Sequence, residues 1–224
     1  MAWTDIPTWS LDVAKTIMET VRVKDQATYE HCIRVSRGSR LLARAAGLDA
    51  FEQKLVEFAG LFHDIGKIGI PDDILLKPAK LSEEEFQIMK SHPEKSVQIL
   101  SPLAHIDFYK RLLPGVLHHH ERWDGRGYPG HRDSSDEHAG MKEEQIPLAS
   151  RVILVADTYD AMTADRAYRK GLAPEVAYKE LMDFAGRQFD PQLVKIFLEA
   201  HPKWKAHDYK IFSEMENEVL KRAA

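Results

Sequence analysis

The sequence predicts an all-α protein. Apolar residues recur every three or four positions through most of the chain, the period of one helix face. Helix-starting Asp, Ser and Pro and a helix-stopping Gly bracket these segments. The longest apolar stretch, "PLASRVILVADTYDAMTADR" from Pro147, is too long for a strand and reads as a buried helix.

Element by element, Ser10 caps a first helix whose apolar face is Val13, Ile17 and Val21. A second helix runs from about Asp25 to Ala46 and ends at Gly47. A third starts near Asp49 and carries Phe51, Leu55, Phe58 and Phe62 on one face. It delivers His63 and Asp64 to its end, with Gly66 as the stop. "LSEEEF" is a capping box of Ser82 and Glu85, and Pro93 opens a helix directly after His92. Leu112 to His120 is a short helix running into the turn-rich "ERWDGRGYPG". The polar run "HRDSSDEHA", residues 131–139, reads as an exposed loop. The long buried helix follows and encloses Asp157 and Asp160; a buried acid needs a partner. Two helices open at Pro174 and after Asp190, and a last amphipathic helix from about Lys203 presents Tyr209, Phe212, Met215 and Val219. With no repeat, low-complexity tract or linker, the chain reads as one helical domain.

Composition narrows the class. Of 224 residues, 35 are acidic and 31 basic, a net charge of −4, which argues against a nucleic-acid polymer as partner but leaves room for a local basic pocket. The single cysteine, Cys32, permits no intrachain disulfide and fits a reducing compartment. No apolar run approaches the ~20 residues that span a bilayer, and the N-terminus lacks the features of a signal peptide. The expected setting is the cytoplasm, without membrane insertion.

The chemistry lies in the histidines and acids. His31, His63, Asp64, His92, His119, His120 and Asp157 each fall within or at the end of an expected helix. Imidazole with carboxylate suits first-row transition metals. Seven donors exceed one ion's needs. Two ions bridged by a carboxylate would use them all, and such a pair clamps the oxygens of a phosphodiester and yields a hydroxide at neutral pH.

"HDIGKIGIPDDIL", "HP" at 92–93, "HHERWDGRGYP", "IPLASRVILVADTYDAMTADRAYR" and "FDP" resemble the HD-GYP domain, a branch of the HD phosphohydrolase superfamily, over about residues 25 to 200. The resemblance implies an HD-type helical bundle around a buried metal centre. It implies a metal-dependent phosphodiesterase that opens cyclic di-GMP, or cyclic GMP-AMP, to the linear dinucleotide or GMP through a hydroxide between the metals. Residues 1–24 would be a helical extension, 25–200 the catalytic domain, and 201–224 a C-terminal helix packed on it. By motif, His31, His63, Asp64 and Asp157 would hold one metal. Asp64 would bridge to a second, completed by His92, His119 and His120. The pair would be iron or manganese, with zinc, nickel and cobalt compatible. The "HHH" run is resolved to His119 and His120 because the family pair directly precedes Glu-Arg. Asp64 and Lys67 would be catalytic, Lys67 by reaching a phosphate oxygen. Arg166, Arg169 and Tyr128 would meet substrate, and Tyr128 in the "GYP" loop is equally placed to meet a signalling partner. Arg166 can share the site only if the helix from Pro147 ends or bends near Thr163. The C-terminal helix could pair two copies. Alternative readings are a phosphohydrolase of another nucleotide, or a metal-binding adaptor without turnover.

Two departures from the family pattern stand out. The glutamate that helps a third metal in some members is Ala27 here, and Glu30, about 100° round the helix from His31, is a poor substitute. Two metals are therefore expected. Second, residues 131–139 are inserted between "GYP" and "IP". Asp160 is evenly balanced between orienting a ligand and serving a buried neighbour. Cys32 reads as core, Asp124 as a turn residue, and His105, His201 and His207 as surface.

Overall fold

The computed structural model describes residues 6–130, 140–165 and 170–205. Among them it holds ten α-helices and no strand, only an isolated bridge between Ala185 and Phe189. The helices are α1 (Ser10–Lys24), α2 (Gln26–Ala45), α3 (Ala50–Phe62), α4 (Asp72–Leu75), α5 (Glu83–Met89), α6 (His92–Leu100), α7 (Asp107–Leu117), α8 (Leu148–Thr163), α9 (Pro174–Asp183) and α10 (Pro191–Ala200). The all-α expectation holds.

Local chemistry sets the boundaries. Asp25 caps α2 through the amides of Ala27 and Thr28, and Asp49 with Glu52 forms a capping box on α3. Ser82 with Glu85 does the same for α5. Gly47 ends α2 at a φ of 83°, where a glycine avoids the Cβ penalty.

α2 is the central element, packed on α1, α3, α8 and α10. One apolar cluster joins α1, α2, α3 and α7 through Met18, Val35, Phe58, Phe62 and Leu112. A second joins α2 to α8, α9 and α10 through Leu42, Val155, Leu181 and Phe197. These clusters fix the orientation of the helices that carry the histidines.

Several expectations need correction. The buried face of α1 is Leu11, Ala14, Met18 and Val21, so Val13 and Ile17 flank the core rather than form it. Trp9, not Ser10, is the N-cap residue, and Ser10 lies buried in the first turn. α7 starts earlier than Leu112 and stops at Leu117, leaving His118 to His120 in a turn. Gly66 does not stop α3, which ends at Phe62; it lies in a 3-10 turn over Ile65–Gly69. A Cβ at Gly66 would lie 2.0 Å from the His92 carbonyl oxygen and 2.5 Å from the Ser96 amide nitrogen. The bare backbone is what lets this turn lie against α6. Ser96 seals the same contact, its hydroxyl donating to the His63 carbonyl and accepting from the Gly66 amide, both at 2.8 Å. His201 is half-buried rather than a free surface residue: it meets Tyr159, Phe197 and Trp204, hydrogen-bonds Tyr178 at 2.7 Å, and has its pKa lowered to about 4 by burial.

Residues 131–139 and 206–224, with His207 and the C-terminal amphipathic face, lie outside the described residues.

Candidate metal centre

Three helix ends and the middles of two long helices converge on one spot. His63 follows α3, His92 follows α5 and opens α6, and His119 follows α7. A helix's last carbonyls have no partner within the helix. Each histidine takes one: His63 Nδ1 donates to Gly60 O at 2.7 Å, His92 Nδ1 to Met89 O at 2.8 Å, and His119 Nδ1 to Val116 O at 2.7 Å. The bond fixes the ring and turns Nε2 inward. The negative ends of the helix dipoles also favour a cation where they meet.

His31 and Asp157 come instead from within α2 and α8. His31 Nδ1 donates to Asp160 Oδ2 at 2.8 Å, and its Nε2 lies 3.1 Å from Asp157 Oδ1. Asp160 is gripped in turn by Arg34, from Nε at 2.6 Å and Nη2 at 3.1 Å. Asp160 thus holds the His31 ring in orientation, as outer carboxylates do for imidazoles in metal sites. Arg34 went unnoticed in the sequence. Its signal was its place three residues after His31, on the same helix face.

Asp64 spans the two groups. Oδ2 lies 3.5 Å from His31 Nε2 and 3.4 Å from His63 Nε2, whereas Oδ1 lies 3.1 Å from His92 Nε2. Lys67 Nζ donates to Oδ2 at 2.6 Å. Three sets could hold an ion: His92, His119 and His120; His31, His63 and Asp157; and His63, Asp64 and His119. All seven donors expected from the sequence occur in these sets.

The donors fit a metal cation. His63 Nε2 is buried with no hydrogen-bond partner, although an orphaned buried acceptor is costly. His119 Nε2 lies 3.2 Å from His92 Nε2. Burial and the neighbouring His120, His63 and His92 hold the His119 pKa well below the ordinary value, so its Nε2 presents a lone pair. A bound cation would accept lone pairs from both nitrogens at this spacing. Ligands at right angles on a metal with bonds of ~2.1 Å sit about 3 Å apart.

Charge is unevenly shared. Burial lowers the His120 pKa to about 3. Burial also opposes charging of His31, but the hydrogen bonds it donates to Asp157 and Asp160 outweigh it and lift its pKa to about 9. Burial would raise the Asp157 and Asp64 carboxyls. For Asp157 the His31 bond prevails, and for Asp64 the charges of Lys67 and His63 and the bond to His92 do, so both stay far below the usual range. The protein therefore presents carboxylates and one proton on one side, and neutral imidazole on the other.

The "GYP" loop folds back over this cluster. A Cβ at Gly127 would lie 2.3 Å from the Arg122 amide nitrogen, so glycine permits the fold. The Tyr128 ring stacks on His120 at 4.7 Å and 26°, and burial raises its pKa, keeping the phenol neutral. Buried Glu121 anchors the loop by accepting from the Gly130 amide at 2.6 Å. Arg122 bonds Asp124 and Gln188, and Asp124 accepts from the Arg126 amide as a turn residue. Buried Cys32 is core, as expected. α8 ends at Thr163, the break that Arg166 requires, but Arg166 and Arg169 lie outside the described residues. No helix among the described residues is long and apolar enough to cross a membrane.

The chain is similar to known proteins in sequence and in fold. The chain is 36% identical over 196 residues to a cyclic di-GMP phosphodiesterase of Thermotoga maritima, covering 88% of this chain and 50% of the relative. It is 35% identical over 200 residues to the 3'3'-cGAMP-specific phosphodiesterase 2 of Vibrio cholerae, covering 87% of this chain and 35% of the relative. The chain thus spans half or less of the length of these curated relatives. In fold it is similar to a cyclic GMP-AMP-specific phosphodiesterase of V. cholerae, with a TM-score of 0.58 at 19% identity over 94% of this chain and 53% of that one. It is similar also to the phosphodiesterase PgpH HD domain of L. monocytogenes, with a TM-score of 0.51 at 18% identity over 92% of this chain and 98% of that one. The HD domain family model matches residues 15–193. With the resemblance read from the motifs borne out at most of its length, the chain belongs to the HD domain family.

Proposed function

We propose that this chain is a metal-dependent phosphodiesterase that hydrolyses a cyclic dinucleotide, cyclic di-GMP or cyclic GMP-AMP. The observation that carries the reading is the position of Asp64, with one carboxylate oxygen facing each group of donors. That placement suits two cations sharing a bridge. Iron or manganese suits the mix of imidazole and carboxylate. The relatives' names, cyclic di-GMP and 3'3'-cGAMP phosphodiesterases, support the substrate class.

His31, His63, Asp64 and Asp157 would hold one ion, and Asp64, His92, His119 and His120 the other. A bound pair supplies Lewis acidity and a hydroxide at neutral pH. The chain's own residues do the rest. Asp160 and Arg34 hold His31 in the orientation that aims Nε2 inward. Lys67, which bonds Asp64, would offset the charge that grows on a phosphate oxygen during attack. Tyr128 roofs His120 and excludes water from that side. Arg166 and Arg169 are proposed as further phosphate contacts on sequence grounds. The catalytic unit would span 25–200, with α1 packed on it as an extension. A signalling partner at the "GYP" loop and pairing of two copies through the C-terminal helix belong to the same reading.

The test is elemental analysis of the purified protein with chromatography of cyclic di-GMP and cyclic GMP-AMP digests. The expected result is about two transition-metal ions per chain, with linear dinucleotide or GMP formed. A fully metallated protein that leaves both compounds intact overturns the reading and favours an adaptor or another nucleotide.

A further inference from the structure

α5 is an odd helix. It spans seven residues and buries none of them, yet it carries a capping box, and Lys77 bonds both oxygens of its Glu85 at 2.7–2.8 Å. Packing does not explain so well fixed an element. What it holds in place is Phe86, 45% exposed, and Lys90, the residue at its C-cap, two before His92. The Lys90 ammonium lies 5.0 Å over the Phe86 ring and 5.5 Å over the Tyr128 ring. Its side chain makes no hydrogen bond or ion pair among the described residues. Lys67, by contrast, is committed to Asp64.

The Tyr128 ring rests on His120. Imidazole, phenol, ammonium and phenyl therefore form a column running from the donor cluster to the surface. An ammonium held only by ring faces keeps its three donors uncommitted. An exposed aromatic face beside it accepts a nucleobase by stacking.

A cyclic dinucleotide carries two phosphodiesters on opposite sides of its ring, and two purines. With one phosphate at the metal donors, the other must face the rim. We propose that Lys90 and Phe86 form this second subsite. Lys90 takes the phosphate that is not cleaved, and Phe86 offers its face to a purine. The inference rests on the cyclic-dinucleotide reading above and adds the residues that distinguish such a substrate from a simple phosphodiester.

The experiment uses the metal-loaded full chain and its Lys90→Met, Lys90→Arg and Phe86→Ala variants. Cyclic di-GMP binding is measured by calorimetry and its turnover by chromatography. Bis(p-nitrophenyl) phosphate serves as a probe with one phosphate and no purine, and melting curves confirm folding. Lys90→Met is expected to weaken cyclic di-GMP binding and raise KM by about tenfold, the loss of one charged contact. Its metal content and its rate on the simple diester should match the parent. Lys90→Arg should recover most of the affinity, and Phe86→Ala should weaken binding by about fivefold. Equal affinity in the parent and Lys90→Met overturns the subsite while leaving the cyclic-dinucleotide reading intact. A parent that, tested with each, binds neither cyclic di-GMP nor cyclic GMP-AMP overturns both. A parent that binds without cleaving overturns the activity alone, and the affinities still decide the subsite.

Discussion

His92 and His119 reach the centre at helix ends, with main-chain carbonyls as anchors, and His120 adjoins them. His31 and Asp157 reach it from the middles of α2 and α8, with Asp160 and Arg34 as anchors. In the first group His119 and His120 are held neutral, and the second holds carboxylates around a proton-bearing imidazole. Two ways of fixing a donor side chain thus stand side by side. A main-chain anchor cannot be removed by changing a side chain, so only loss of the histidine itself opens that half. A side-chain anchor can be removed, so the other half should weaken by steps.

The sharpest break of the comparison is His119→Ala. It removes a donor that no neighbouring carboxylate can replace, and turnover should fall by roughly a thousandfold or more. Elemental analysis should show one ion lost per chain. Retention of both ions would show that the neutral half is not a metal seat.

Acidity should separate the halves next. A metal entering beside His31 must displace its proton. The raised pKa means that the proton stays on below about pH 9. Affinity there should therefore rise about tenfold per pH unit up to that point and level off above it. The half with His119 and His120, whose protons are already off near neutrality, should change little. Chelator competition between pH 6 and 9 gives both slopes, and equal slopes would erase the distinction.

Asp160→Asn keeps the size but lets His31 turn. Outer-partner losses typically cost 10–100-fold in metal affinity, and the same competition assay reads the loss. Arg34→Met should act in the same direction and more weakly. An unchanged constant in both would leave His31 held by Asp157 alone.

Ser96→Ala should have the smallest effect. It strips the hydroxyl that links the segment after His63 to α6. The expected cost is about 1–3 kcal/mol, a fall in melting temperature of several degrees. Metal content should hold, since no ligand is touched.

Much of this was legible in the sequence because the anchors are local. The capping residues Asp25, Asp49 and Ser82 and the helix-ending Gly47 act within a few positions of themselves. His63, His92 and His119 bond carbonyls three residues back, so their place at helix ends could be read from helix patterns alone. Contacts between distant residues could not. Asp160 pairs with His31 and Arg34 across more than a hundred positions, and sequence leaves two outcomes for such an acid. Nor could the α1 face be chosen. Val13, Ile17 and Val21 have helical spacing, but so do Leu11, Ala14, Met18 and Val21, and packing against the core selects the second set. His201 was misread because the aromatic residues around it come from α8, α9 and α10, far apart along the chain.

The bare α-carbon at position 66 carries a consequence for descent. With a main-chain oxygen where a methyl would go, no other amino acid can be inherited there without prying the His63–Asp64 segment away from the helix that bears His92. A lineage cannot add a single carbon at that crossing and keep the two segments in contact.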